Sequence, residues 1–172
     1  MPKPSPTSYP GYFQKYIDQV PEQDLAAAFA SQNTAIREFL SSISEEQSTL
    51  RYAEGKWSIR EMLQHIIDAE RIFNYRALCF ARQEKNNLPG FEENDYAAVS
   101  NADTRSWKSL VDEMIALRQS TEMMYDSFTE EMLGTAGKAN NNAVTVASLG
   151  FITIGHFYHH QKVINERYMV AG

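Results

Sequence analysis

Four stretches of this chain carry apolar residues at helical spacing, and no stretch alternates convincingly at the strand period, which limits the fold to the all-α class. The first, from Glu22 to about Ser42, contains no Gly or Pro and repeats Leu25, Phe29, Ile36, Phe39, Leu40 and Ile43. The second has a legible start. Ser58 followed three residues later by Glu61 is a capping box, and Trp57 and Met62 flank it as a hydrophobic staple. Its apolar pattern runs to about Arg82. The third begins near Asp103 or Thr104 and continues past Met132, with Trp107, Leu110, Met114, Leu117, Met124, Phe128 and Met132 on one stripe. The fourth extends from about Thr145 to about Tyr168. Helices of this kind bury their apolar faces against one another, so a four-helix bundle is expected.

What separates these stretches sets the organisation. Residues 1–21 hold five of the six prolines, interleaved with Tyr9, Tyr12, Phe13, Tyr16 and Ile17. Proline forbids a long helix there, while the aromatics predict an extended arm packed on the body, with one helical turn near Tyr12 to Gln19. A long polar connection, Glu84 to Asp103, is interrupted by Leu88, Phe91, Tyr96 and Val99; such a loop packs, and it can wall a pocket. Gly134 to Asn142 reads as a turn, and connections of this length do not require simple up-down order. At 172 residues and 43% hydrophobic content, the expectation is one domain over 1–172, divided into the arm at 1–21 and the bundle at 22–172.

A net charge of −6 without any Lys/Arg-dense block argues against a nucleic-acid footprint. Neither a signal peptide nor an apolar run of transmembrane length is present, and the lone Cys79 sits among Ala77, Leu78 and Phe80 as a small apolar group; a cytoplasmic location is expected.

The chemistry concentrates in Gly155-His156-Phe157-Tyr158-His159-His160, which holds three of the four histidines. At about 100° per residue, His156 and His160 lie roughly 40° apart on one face, in the middle of the stripe Leu149, Ile152, His156, His160 and Val163. Buried imidazoles one turn apart can share a divalent metal or can be core groups satisfied by carbonyls and water. His65, on the second helix, lies at the edge of its apolar face. Taken alone it reads as a solvated or singly bonded residue; joined to the pair it completes three neutral nitrogen ligands and leaves a coordination position open. Glu61 and Asp68, one turn to either side of His65, are candidates to orient an imidazole or move a proton. Arg167 falls about two turns after His160 on nearly the same face, and an inward Arg167 would mark a polar core network to which the histidines also belong.

Several of these pieces together resemble the DinB/YfiT superfamily of four-helix-bundle proteins. They are Tyr16-Ile17-Asp18-Gln19-Val20-Pro21, Gly55-Lys56-Trp57-Ser58-Ile59-Arg60-Glu61-Met62-Leu63-Gln64-His65, Leu88-Pro89-Gly90-Phe91, and Gly155-His156-Phe157-Tyr158-His159-His160 with Glu166-Arg167-Tyr168. The resemblance implies a metal-binding triad at His65, His156 and His160, with His159 outside it, and zinc or nickel as the metal. It also implies a metal-dependent hydrolase or a thiol-dependent transferase, in which the open position activates water or a low-molecular-weight thiol, acting on a small-molecule substrate. The alternative is a non-catalytic metal- or ligand-binding module that forms a homodimer through exposed aromatics of the arm and long loop.

Overall fold

The computed structural model describes residues 1–169, so the last three positions of the expected 22–172 bundle lie outside the described residues. The arm makes one turn of helix, α1 (Gln14–Ile17), within the expected Tyr12–Gln19 stretch, but two short 3-10 turns precede it in place of the extended chain expected there. It folds back as expected: Lys3 N donates to Gln23 O and Leu25 N to Met1 O.

The four long helices are α2 (Leu25–Ser41), α3 (Ile59–Ala81), α5 (Trp107–Asp126) and α7 (Val146–Arg167). Asp24 caps α2 through Ala27 N. Ser58 and Glu61 close the capping box of α3, each side chain bonding the other's backbone N–H. Packing is ordered around a ring: α2 lies against α5 and α7, and α3 lies against the same two. The helices first and second in sequence therefore stand on opposite corners, not side by side.

The third stretch differs from its sequence reading. Ser106, not Asp103 or Thr104, caps α5, because Asp103 instead accepts hydrogen bonds from Ser58 Oγ and Arg51 at 2.5 Å each. The helix ends at Asp126; Thr129 then caps a separate short helix, α6 (Glu130–Gly134), by accepting from Met132 N. The segment read as a turn is a hairpin, β1 (Ala136–Ala139) paired antiparallel with β2 (Asn142–Thr145). Asn140 and Asn141 supply its two positive-φ positions, at 48° and 63°, as a two-residue hairpin turn demands. The long connection contains α4 (Glu93–Val99), and Leu88 joins the hairpin through Leu88 N to Lys138 O and Asn140 N to Leu88 O.

Two apolar clusters fill the bundle, one towards the arm and hairpin, the other around Trp107, Phe157 and the start of α3. A polar network crosses between them. Arg118 donates to both carboxylate oxygens of Glu70, at 3.1 and 2.7 Å, and to Gln32; Thr121 donates to Glu70 at 2.6 Å, and Gln32 to Ile154 O at 2.8 Å. All four long helices meet in it. Arg167 takes no part: it is exposed and lies over the Tyr52 ring, so the condition under which it would mark a polar core network holding the histidines is not met. Among the described residues no helix is long and apolar enough to cross a membrane.

Candidate metal centre

His65 projects from α3 and His156 and His160 from α7, the two helices that pack most intimately along the bundle. Placement of His156 depends on its neighbour. A Cβ on Gly155 would lie 2.1 Å from the Tyr16 carbonyl oxygen, so only glycine lets α1 approach α7 this closely. That approach sets the Tyr16 ring edge-on to His156, with centroids 5.2 Å apart, while Phe73 of α3 does the same from the other side at 5.9 Å. His65 is held beneath Trp57 at 5.0 Å. Aromatic rings thus brace His156 edge-on and His65 at a tilt.

The three Nε2 atoms converge. His156 Nε2 lies 3.2 Å from His65 Nε2 and 3.0 Å from His160 Nε2, and one ligand atom from each residue falls within 4.8 Å of the others. His65 is buried, contrary to the solvated position it suggests in isolation. Burial, assisted by the neighbouring imidazoles, holds all three below the ordinary histidine range, His65 at about 4. Neutral imidazoles cannot satisfy this arrangement among themselves. Each ring carries one N–H, and His156 Nε2 has a single in-plane site with which to serve two partners. His160 Nδ1 is also buried without a hydrogen-bond partner. The donor set fits a cation instead: three neutral nitrogens at about 2.0–2.1 Å from zinc in tetrahedral directions would be about 3.3 Å apart, close to the separations observed.

The carboxylates expected nearby are engaged elsewhere. Glu61 accepts from Ser58 N at 2.8 Å and from Arg51 at 2.6 Å; Asp68 accepts from Gln64 at 2.9 Å. Neither is hydrogen-bonded to a histidine. His159 lies beside the trio, with Nδ1 3.5 Å from Gln19 Nε2 and its ring against Tyr16.

A cavity of about 320 Å³ reaches the centre, with His65 and His156 in its wall. The arm contributes Phe13, Lys15 and Tyr16; the long connection contributes Gly90, Phe91 and Glu93. The loop does wall a pocket, as its aromatics suggest. Lys15 and Arg76, which also line it, were not singled out from sequence; Arg76 sits three residues after Phe73 on the histidine-bearing face of α3, and that periodicity was the available signal.

Among solved structures, the chain is similar to YfiT from Bacillus subtilis, described as a probable metal-dependent hydrolase with an unusual four-helix bundle topology, with a TM-score of 0.69 at 15% identity over 94% of this chain and 95% of that one. It is also similar to the mycothiol-dependent maleylpyruvate isomerase, with a TM-score of 0.61 at 11% identity; the match covers 86% of this chain but only 59% of the isomerase. No curated protein matches. At these identities the likenesses establish the fold, and the ring order with α2 and α3 on opposite corners is the feature that departs from a simple up-down bundle. A family model adds what the structures do not, since it matches residues 28–164 and so takes in all three converging histidines: the chain belongs to the DinB superfamily.

Proposed function

We propose that this protein is a metal-dependent enzyme in which His65, His156 and His160 hold a divalent cation, zinc or nickel, facing a small-molecule substrate in the adjoining cavity. The observation that carries this reading is the convergence of three buried Nε2 atoms beside a cavity. A metal bound there supplies an open coordination position that lowers the pKa of water or of a thiol.

The chain's own residues favour the thiol. Water attack ordinarily uses a nearby base; Glu61 and Asp68 are both committed to other partners, and Glu93, in the cavity wall, is hydrogen-bonded to none of the histidines. A thiol that binds as thiolate needs no separate base at the moment of reaction. Lys15, in the cavity wall and close enough to depress His156 and His160 further, adds positive potential that favours an anionic sulfur. Phe13, Phe73 and Phe91 exclude water from the approach. The mycothiol dependence of the similar isomerase is consistent with this reading, and the metal dependence ascribed to YfiT supports the metal.

Elemental analysis of protein purified without affinity nickel tests the reading. Near-stoichiometric zinc or nickel is expected, lost in His156→Ala and His160→Ala. Metal content unaffected by both substitutions overturns it. With cobalt(II) in the site, addition of a small thiol should produce a sulfur-to-metal charge-transfer band; hydrolytic turnover without such a band would favour water as the nucleophile.

A further inference from the structure

Arg76 stands apart from the other buried guanidiniums. Arg118, 1% exposed, is matched by Glu70 and Gln32, and Arg60, 8% exposed, donates to Ser48, to Glu45 and to the carbonyls of Asp103 and Arg105. Arg76 is 7% exposed and makes one hydrogen bond, from Nη2 to Pro89 O at 2.9 Å. Among the described residues it forms no ion pair, and burial draws its pKa down. A guanidinium offers five N–H donors, and burying it without an anion is costly. Its unused donors border the cavity that reaches the histidines.

The position along α3 adds a length. His65, Ala69, Phe73 and Arg76 all line this cavity, spaced to share one helical face. The ends are eleven positions apart, about 16 Å at the helical rise. Both side chains lean back toward the helix N-terminus, so only the longer reach of arginine shortens the gap between guanidinium and His65 imidazole, to roughly 13 Å. Between them along α3 the wall is Ala69 and Phe73, with the Phe13 ring packed edge-on to Phe73 at 6.1 Å. Glu93 also lines the cavity and disfavours a dianion.

We propose that the cavity takes an elongated ligand with an apolar middle and a terminal monoanionic carboxylate bound by Arg76, at the end away from the histidines. The attachment of the other end rests on the function proposed above; the carboxylate site does not.

Calorimetric titration of the zinc-loaded protein with 6-mercaptohexanoate and with 6-mercapto-1-hexanol, of similar length and uncharged, separates the two. The acid should bind about tenfold or more tightly than the alcohol, since a charged hydrogen bond in a buried site is lost with the alcohol. Arg76→Gln should bring the two within about twofold, and Arg76→Lys, which preserves the charge and controls for misfolding, should retain part of the difference. 3-Mercaptopropionate is too short to span the gap and should show no such advantage over 3-mercapto-1-propanol. Equal binding of the two long thiols, or an advantage that survives Arg76→Gln, overturns the carboxylate site while leaving the metal centre intact. If zinc does not load or neither thiol binds, the metal reading fails instead. Hexanoate is then titrated into metal-free protein with the Arg76 Nε–H NMR signal as readout: a saturable shift upholds the carboxylate site, and no shift overturns it.

Discussion

Two groups of buried polar side chains lie in this bundle, and they are built on opposite principles. Around Arg118 every charge meets a counter-charge or an amide, and the network joins all four long helices. Around His156 three like nitrogens face one another, braced by aromatic edges and lacking enough protons to bond among themselves. The first is complete within the protein. The second is complete only with something added, and polar groups left in that condition mark where a fold serves chemistry instead of its own stability.

The sharpest way to break this contrast is to orphan the satisfied group. Glu70→Ala should cost about 3–5 kcal/mol in denaturant unfolding, because it leaves the Arg118 guanidinium buried and uncompensated. A loss near zero would show that the network is dispensable.

Acid should act on the other group. In metal-free protein the folded-state pKa values of the three histidines lie below the unfolded value near 6.5, so the unfolded chain binds more protons as pH falls through that region. Stability is then unaffected by these groups above about pH 6.5 and declines below it, until His65 itself protonates near 4. By pH 5 the loss from His65 alone should approach about 2 kcal/mol, with His156 and His160 adding to it. Bound metal should suppress the decline. Urea midpoints measured at pH 7 and pH 5, with and without zinc, check both statements.

Gly155→Ala probes the bracing. Its Cβ would meet the Tyr16 carbonyl, so α1 must shift and carry Tyr16 off His156. A stability loss of about 1–2 kcal/mol is expected, together with weaker metal retention under chelator. Retention equal to wild type would show that the arm does not set the imidazoles. The smallest effect belongs to His156→Leu in metal-free protein, where an apolar group replaces a poorly satisfied polar one: within about 1 kcal/mol of wild type, in either direction. That near-neutrality beside the Glu70→Ala result would complete the contrast.

The sequence makes one of these groups far more visible than the other. His156 and His160 sit on an apolar stripe, and Ser58, Glu61 and Trp57 fix the register of the helix that carries His65, so the trio can be assembled from local patterns. Arg118 leaves no such mark and Arg76 only its spacing from Phe73, since a single arginine within a helical period looks like a solvated face until its neighbours are placed. The same limit applies to the ring order, which depends on how helices pair and not on where they begin. The hairpin at 136–145 was missed for another reason: its strands are four residues each, too short to alternate visibly, although consecutive asparagines at its tip are the turn chemistry that such a hairpin uses. The break between α5 and α6 contains neither Gly nor Pro, and only the Thr129 cap marks it.

The ring order also has a consequence in time. His65 and His156 are 91 positions apart. At ordinary rates of synthesis roughly 5 to 20 seconds pass between the two residues leaving the peptidyl-transfer centre. Throughout that interval the nascent chain offers an isolated imidazole and no chelating site. The trio comes into being only when α7, the last of the four long helices in the chain, docks beside α3. The full three-nitrogen set is therefore absent until α7 has docked; before that, the chain offers only a lone imidazole on α3 and the one-turn pair on α7.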